Sequence, residues 1–463
     1  MPTQQPMAAK QRDLLKVRCN PFLIWITPIA LFAPYMLTVY VGTLKLTPGK
    51  LLTLILVIPA IFNLANGALA RRRSFIMADF FAIALTFWLV AAPITASGSD
   101  VIVGAASQGL EFFGSYVIGR AYFYGSDALS IFGRALAVVV VAVTMIGLLD
   151  TLTHHYVVSE TLNPIFYSPG EPLDANYPQL NRSVFGVELL RAASTFDHPI
   201  LFGMFCSISA CVLIYMQPSS IRLIGLLFCG FGCVIALSSA AILALGIAVA
   251  FKLYDLTLMR AAWRWKALLA LVTIFLILIS IISNNPVTWI IRNLTFDPQT
   301  GYFRILVWDA AMPYIHANFW TGKGAQLTGN PFVDGSVDSI WLGLALAYGI
   351  PAVTLLALIG VTVVTPARGS ARIRRHQVDI DSWCTGFSLA IILFGLIGFT
   401  VFYWNGVWLY AAFCLGVRAS LKEYCKIAAS TMTNGTTRFP LSSVIPASPL
   451  PLSFPIGAGA NQA

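Results

Sequence analysis

Two polar segments of this sequence hold the residues best suited to chemistry. The first ends in RAASTFDHP and brings Arg191 and His198 close together in the chain. The second carries Arg304 and Trp308 at a helical spacing and ends in DSIWLGLALAYGI, which begins at Asp338. Arginine's planar guanidinium suits diphosphate oxygens, and a carboxylate or imidazole can deprotonate a hydroxyl group. Together these residues suit the transfer of a group from a membrane-anchored diphosphate to an alcohol.

Each of these residues also has a structural interpretation. An isolated arginine such as Arg191 often extends to lipid headgroups, and aromatic residues often form an interfacial belt. Asp197 and Asp338 can each cap the helix that follows them. If that first helix begins near Thr195, its free N–H groups and the positive end of its dipole favour an anion beside Arg191.

The composition places these residues beside a lipid bilayer. The chain is 58% hydrophobic and 10% charged, and long apolar runs recur from Pro21 to Leu421. Because backbone in lipid must satisfy its own hydrogen bonds, we predict an all-α polytopic membrane protein with about twelve transmembrane helices. The predicted spans are Phe22–Val41, Leu51–Ala70, Phe75–Pro93, Val101–Ile118, Ile131–Leu149, Pro199–Met216, Ile221–Leu237, Ala240–Tyr254, Ala267–Ile282, Ile340–Val364, Trp383–Val401 and Val407–Leu421.

One pair of spans decides the topology. Ile221–Tyr254 is either one overlong helix or two short helices that meet at Ser238-Ser239. With two crossings and a cytoplasmic N-terminus, the basic clusters fall on the cytoplasmic side, as the positive-inside rule requires. These clusters begin at Lys10, Arg71, Lys252, Arg368 and Arg418. We therefore predict two crossings and cytoplasmic termini, and the net charge of +10 requires no nucleic-acid partner.

The predicted topology divides the chain into three parts. They are a cytoplasmic N-terminal segment (1–20), a membrane domain (21–427) and a disordered cytoplasmic tail (428–463) rich in Ser, Thr, Pro and Gly. The membrane domain contains two long outer loops, 150–198 and 283–339. Met1–Asn20 is polar and basic, so we expect no cleavable signal peptide.

Finer features of the loops and cysteines can also be predicted. In the second loop, Tyr302–Ala311 is predicted to form a short helix that Pro313 closes or kinks. All eight cysteines fall within spans or on the inner side, so we expect neither a structural disulfide nor a metal site.

The chain resembles the superfamily of O-antigen ligases and O-antigen polymerases, which are bacterial inner-membrane glycosyltransferases. Within it, the exopolysaccharide polymerases of the succinoglycan type are the most similar. The resemblance rests on RAASTFDHP, on Arg304 and Trp308 followed by Gly322-Lys323-Gly324, and on DSIWLGLALAYGI. These motifs cover roughly Arg120 to Gly349, and the hydropathy pattern extends the resemblance to Leu421.

The resemblance implies a GT-C-like architecture in the bacterial inner membrane, with both long loops in the periplasm. It implies undecaprenyl-diphosphate-linked glycans as donor and acceptor, with no cofactor and no metal. Chain-length regulators and export proteins are candidate protein partners.

The resemblance also implies roles for individual residues. Arg191 and Arg304 would bind the diphosphate, and Asp338 or His198 would be the general base. Family members often have a Ser-Arg pair where this chain has Ser238-Ser239, and Arg292 or Lys323 is a candidate replacement for the absent arginine. Ligases commonly have His-Asn where this chain has Asp338-Ser339, which counts against a ligase.

Our leading hypothesis is a polysaccharide polymerase that transfers a growing chain from its lipid diphosphate onto an incoming lipid-linked repeat. The alternative within the same class is a ligase that joins glycan to lipid A core or to protein. A transporter or flippase would need ionisable groups near the membrane midplane, where the sequence offers Asp79 and Glu111 and no detectable internal repeat. A structural scaffold of an export complex is the third alternative.

Overall fold

The computed structural model describes most of the membrane domain. The described residues are 19–42, 44–70, 73–166, 173, 176, 180–184, 186–259, 261, 263–283, 298–335, 337–366 and 378–436. Most of the predicted N-terminal segment and residues 437–463 of the predicted tail lie outside these ranges.

Helices dominate the described part of the chain. They are α1 (Pro21–Leu31), α2 (Pro48–Leu69), α3 (Met77–Ser97), α4 (Ile102–Tyr122), α5 (Ser126–Thr153), α6 (Val157–Leu162), α7 (Pro199–Ile214), α8 (Ser220–Ile235), α9 (Ser239–Thr257), α10 (Arg264–Ile282), α11 (Pro298–Ala317), α12 (Pro331–Gly335), α13 (Ile340–Val364), α14 (Val378–Ile397) and α15 (Asn405–Thr436). Strands β1 (Val39–Val41) and β2 (Leu44–Leu46) form one antiparallel hairpin, and β3 (Asn181–Val184) and β4 (Val187–Leu190) form another.

Many of these helices suit a bilayer. Among the described residues, eight helices are long and apolar enough to cross a membrane: α2, α3, α4, α5, α9, α10, α13 and α14. Helices α1, α7 and α8 are apolar but shorter, with 11, 16 and 16 residues. The protein is therefore an all-α, multi-pass membrane protein. A helix overlaps each predicted span, while the number of spans, about twelve, stays a prediction.

Two predicted boundaries are wrong. The span Phe22–Val41 ends early, because α1 stops at Leu31 and the chain then turns into the β1–β2 hairpin. Pro34 disfavours helical backbone at the residue before it, which explains the early end. The last helix continues to Thr436, past the predicted tail boundary at 428, and Ala428 is buried within it.

The break between α8 and α9 falls at the predicted position. Leu237 has a left-handed φ of 45°, and Ser238 is extended with φ −110° and ψ 116°. These two residues interrupt the helical backbone between α8 and α9. The prediction of two helices that meet at Ser238-Ser239 is confirmed.

Helices α4 and α15 pack with their backbones in close contact. A Cβ atom added at Gly416 would lie 2.0 Å from the carbonyl oxygen of Tyr116, and one at Gly119 would lie 2.6 Å from that of Phe413. Small residues allow such close packing of membrane helices.

A cluster of buried charged residues links one end of this helix pair to α3. The Arg120 guanidinium contacts the carboxylates of both Asp79 and Glu423, at 3.0 Å for the Nε–Oδ1 pair with Asp79. Arg73 Nε lies 2.9 Å from Glu423 Oε2, and the Tyr116 hydroxyl donates to Asp79 Oδ1 at 2.6 Å. Within this cluster each carboxylate has a guanidinium partner, which compensates for burial of the charges.

The α4–α15 contact provides a stability test. We expect Gly416→Ala to lower the unfolding temperature of the purified protein, because the new methyl group clashes with the Tyr116 carbonyl. Overpacking of this kind typically costs about 1–3 kcal/mol. The measurement heats the protein in detergent to a series of temperatures and determines the remaining folded fraction by size-exclusion chromatography with fluorescence detection.

The matched control is Gly246→Ala on α9, where an added Cβ meets no atom of the described chain within 4 Å. Alanine also favours helix more than glycine does. This variant should unfold at or above the wild-type temperature. Equal unfolding temperatures for the two variants would contradict the packing account.

Candidate functional site

A polar cavity of about 280 Å³ collects residues from both predicted outer loops. Arg191, His198, Arg304 and Asp338, which the sequence singled out, all line it. The remaining lining residues are Arg182, Ile200, Leu237, Ser238, Ser239, Ala240, Thr400, Val401, Phe402 and Trp404. Because both loops and the α8–α9 turn border one cavity, they lie at the same end of the helices.

The segment that carries Arg191 is fixed by a carboxylate at the end of α5. Asp150 is fully buried and accepts hydrogen bonds from the backbone N–H groups of Ser194 at 2.7 Å, Ala193 at 3.3 Å and Val157 at 3.2 Å. Ser194 has a left-handed φ of 56°, a conformation that these bonds help to stabilise. Asp150 therefore determines the path of the chain between Arg191 and His198.

Arg191 itself is held through its backbone and its side chain. Its N–H donates to the Leu180 carbonyl at 2.9 Å, and its own carbonyl accepts from the Tyr156 hydroxyl at 3.1 Å. Its Nε donates to the Ala236 carbonyl at 3.2 Å, just beyond the end of α8. Burial, together with the charge of Arg182, lowers the pKa of Arg191 to about 10. Arg191 therefore stays positively charged at neutral pH.

Arg304 projects from α11, which packs against α13. Val307, Ala311 and Ile315 are buried in a small cluster with residues of α13, and their spacing puts them on one helical face with Arg304. This helix is longer than predicted, since it spans Pro298–Ala317 and continues through Pro313. The buried Ile315 holds the last turn against α13, which explains why Pro313 does not end the helix.

Arg304 and Asp338 differ in their exposure. The Arg304 side chain is only 8% exposed, whereas that of Asp338 is 42% exposed. Arg304 Nε lies 4.0 Å from Asp338 Oδ2, so the two groups form a loose ion pair. The Asp338 carboxylate is therefore accessible to a hydroxyl group in the cavity.

His198 caps α7, which begins at Pro199 rather than near Thr195 as predicted. Its Nδ1 accepts a hydrogen bond from Ile200 N–H at 3.1 Å, and proline is favourable at the first helical position. Burial, and secondarily the charge of Arg191, lowers the pKa of His198 to about 4. The ring is therefore neutral at neutral pH and carries its proton on Nε2. In this state Nε2–H is a hydrogen-bond donor, while Nδ1 is occupied by the Ile200 N–H.

The electrostatics of the cavity favour an anion. Among the described residues, its lining contains three arginines and one carboxylate, that of Asp338. Helices α7 and α9 also begin at this cavity, and so does α13 next to Asp338. Their N-termini add positive potential and N–H donors. The arrangement can therefore bind a diphosphate while a carboxylate remains available.

Arg182 is the charged lining residue that the sequence did not indicate. It lies on β3 in the first loop, in the sequence NRSV, which has no motif to distinguish it. The β3–β4 hairpin folds back so that the backbone N–H of Arg191 donates a hydrogen bond to the Leu180 carbonyl. This fold brings the Arg182 side chain to the cavity. Arg182 brings a third guanidinium group to the cavity.

The other predicted residues are placed elsewhere. Arg292 lies outside the described residues. Trp308 stacks on Phe399, with ring centroids 6.2 Å apart, and is not among the residues that line the cavity. Lys323 Nζ donates to the Leu327 carbonyl at 3.0 Å, away from the cavity lining.

The glycines around Lys323 explain its position. Gly322 and Gly324 have φ values of 65° and 63°, and the segment packs on α13 where that helix is interrupted at Gly349. The N–H groups of Lys323 and Gly324 donate to the Leu346 and Ala347 carbonyls at 2.7 and 3.1 Å. The G-x-G pattern therefore serves close backbone packing.

No group of three or more His, Cys, Asp or Glu in the described part of the chain is arranged to hold a metal ion. A scan against protein-family models and a search of curated proteins found no match to this chain.

The position of His198 predicts a pH effect on stability. Its folded-state pKa of about 4 lies below the unfolded value of about 6.5. The neutral ring thus contributes stability that is present above about pH 6.5 and is lost as the pH falls toward 4. We expect His198→Asn, which can still cap the helix, to lose less thermal stability than wild type between about pH 7 and about pH 4.5.

The control is His155→Asn, because the His155 side chain is 67% exposed. This variant should follow the wild-type dependence of unfolding temperature on pH. A wild-type slope in His198→Asn as well would contradict the burial of a neutral His198.

Proposed function

We propose that this chain is a membrane glycosyltransferase that polymerises undecaprenyl-diphosphate-linked oligosaccharide repeats into exopolysaccharide or O-antigen. The observation that carries the proposal is that arginines of both outer loops line one cavity together with Asp338. A diphosphate matches the arginines and helix N-termini, and a hydroxyl acceptor matches the exposed carboxylate.

A second cavity beside the first supports a lipid-linked substrate. It has a volume of about 320 Å³ and an almost wholly apolar lining from α13, α14, α15 and Phe112 of α4. Ile340 and Trp341 line it two and three residues after Asp338, and Tyr403 lines it between Phe402 and Trp404 of the polar cavity. A polar site next to an apolar one suits a substrate with a diphosphate head and an isoprenoid chain.

The proposed reaction assigns a role to each charged residue. A hydroxyl oxygen of the acceptor sugar forms a bond to the anomeric carbon of the donor, and the bond from that carbon to the diphosphate oxygen breaks. The hydroxyl proton passes to the Asp338 carboxylate. Undecaprenyl diphosphate leaves, and Arg182, Arg191 and Arg304 stabilise the negative charge that develops on it.

The proposal also includes a membrane arrangement. It comprises a GT-C-like architecture with about twelve spans, in the bacterial inner membrane, with cytoplasmic termini and periplasmic loops. The common cavity supports placing both loops on one side of the membrane. The buried cluster around Glu423 would lie near the cytoplasmic side, since it is about 27 Å along α15 from Asn405.

The transporter alternative receives less support from the polar groups within the membrane. Asp79 is paired with Arg120, and Glu111 Oε1 lies 2.8 Å from Lys50 Nζ. The interruption of α13 at Gly349 resembles the broken helices of transporters, but backbone N–H groups of the second loop satisfy the Leu346 and Ala347 carbonyls. These groups are thus engaged in structural contacts.

Substitution of Arg304 tests its role in diphosphate binding. Arg304→Lys keeps the charge but loses the planar pair of donors. We expect polymer yield to fall by about 100-fold at equal expression, in the range found when a group that stabilises transition-state charge is removed. The matched control is Arg134→Lys on the exposed face of α5, which should give the wild-type yield. Full polymer yield from Arg304→Lys would exclude Arg304 from the reaction.

Deletion of the gene distinguishes the candidate functions. A polymerase acts after the repeats reach the outer leaflet, so its loss should leave single lipid-linked repeats there. We would extract the lipid-linked saccharides and test whether an impermeant glycosidase can cleave them in spheroplasts. The expected result is single repeats that the enzyme cleaves.

Three other outcomes would contradict the polymerase. Single repeats protected from the enzyme would indicate a flippase. Long polymer still attached to its lipid carrier would indicate a ligase. Normal polymer that is merely retained by the cell would indicate a scaffold of the export complex.

A further inference from the structure

Part of the wall of the polar cavity is formed by the segment between α14 and α15. Over its last three residues the lining alternates, so that Phe402 and Trp404 line the polar cavity while Tyr403 lines the apolar one. The Phe402 and Trp404 rings lie 6.0 Å apart between centroids, with an angle of 30° between their planes. We call this pair of rings the aromatic shelf.

A carboxylate from the first loop fixes the orientation of the shelf. Trp404 Nε1–H donates to Asp197 Oδ2 at 2.6 Å, and the Asn405 side-chain amide donates to the same oxygen at 2.5 Å. Burial raises the pKa of the Asp197 carboxyl, and these two hydrogen bonds act in the opposite direction. Asp197 thereby joins the loop that carries Arg191 to the start of α15.

The indole also contacts the neighbouring histidine. The His198 ring meets Trp404 edge to face, with centroids 6.1 Å apart. Asp197 and His198 are adjacent in the chain, so the same dipeptide orients the indole and caps α7. The tryptophan therefore has one preferred orientation toward the cavity.

The aromatic shelf offers apolar ring faces, which contribute nothing to the binding of a diphosphate. Phosphate oxygens avoid the negative face of an aromatic ring, whereas the weakly positive C–H groups on the face of a sugar ring pack against it. His198 Nε2–H and the Ser238 and Ser239 hydroxyls of the same cavity could bond sugar hydroxyl groups.

We propose that the aromatic shelf is the subsite for a sugar ring of the lipid-linked glycan, and that Asp197 is the positioning residue that orients Trp404 within it. This inference rests on the proposed function, since it assumes that a glycan occupies the cavity. It assigns glycan recognition to residues 402 and 404, apart from the arginines that bind diphosphate.

An interfacial anchor is the alternative role for Trp404. An anchoring tryptophan directs its N–H toward water and lipid headgroups. Here the N–H is directed to the carboxylate of Asp197, within the protein. The hydrogen bond therefore favours a binding surface over an anchor.

The test compares two ligands on the purified full-length protein in lipid nanodiscs. The ligands are undecaprenyl diphosphate and the lipid-linked oligosaccharide extracted from cells that lack the gene, both radiolabelled. Binding is measured in an Asp338→Asn background, which prevents turnover. We expect Trp404→Leu to weaken binding of the oligosaccharide ligand by about two- to tenfold and to leave binding of undecaprenyl diphosphate unchanged.

Trp341→Leu is the matched control. Its indole also donates to an oxygen, the Gly395 carbonyl at 2.8 Å, but it lines the apolar cavity. Trp341→Leu should weaken the binding of both ligands by the same factor. Equal weakening of both ligands by Trp404→Leu would overturn the sugar subsite and leave the proposed function intact. Failure of the parent protein to bind either ligand would instead overturn the proposed function.

Two Asp197 variants test the positioning role. Asp197→Ala removes the acceptor of the indole hydrogen bond, so it should weaken binding of the oligosaccharide ligand and leave binding of undecaprenyl diphosphate unchanged. The double variant with Trp404→Leu should bind the oligosaccharide no more weakly than Trp404→Leu alone. Asp197→Asn keeps an oxygen that can accept both hydrogen bonds and should retain the preference. If the alanine variant does not fold, Asp197→Asn still decides. We expect it to bind the oligosaccharide as tightly as the parent, because both hydrogen bonds persist; a loss as large as that of Trp404→Leu would contradict the positioning role.

Discussion

The Asp150 carboxylate is the contact on which the candidate site most depends. It lies at the end of a membrane helix, fully buried, and binds backbone N–H groups on either side of the polar segment. Where water is scarce, an unsatisfied N–H group is costly, so the segment has few alternative paths. That path determines the positions of Arg191, Asp197 and His198. Their contacts to the α8–α9 turn, to Trp404 and to α7 then determine the shape of the cavity.

Buried charged groups are arranged differently around Glu423 and in the polar cavity. Around Glu423, guanidinium and carboxylate groups are matched, and their contacts link α3, α4 and α15. In the polar cavity, the described arginines exceed the carboxylate of Asp338, and several helix N-termini add to the excess. Three guanidinium groups and several helix N-termini around one carboxylate give the cavity a positive potential, which favours an anion. This excess of positive charge is the physical reason to place an anionic ligand in the polar cavity.

Much of this arrangement could be predicted from the sequence, for identifiable reasons. Apolar length located the helices, because a bilayer imposes that length on any chain that crosses it. Arg191, His198, Arg304 and Asp338 were found because ionisable residues stand out beside long apolar runs. Arg182 was missed because only the fold of a hairpin brings it to the cavity, and the start of α7 was misplaced because a histidine caps it. Lys323 was a candidate because glycines flank it, but Gly322 instead allows the backbone to pack closely against α13.

Reconstitution tests the central claim most directly. Purified protein in proteoliposomes would receive lipid-linked oligosaccharide as its sole substrate, without nucleotide sugar or added metal. If the cavity holds a lipid diphosphate while Asp338 deprotonates an acceptor hydroxyl, chains of two, three and more repeats should appear. One undecaprenyl diphosphate should be released for every bond formed. Transfer of the lipid across the bilayer with no lengthening of the glycan would contradict the account.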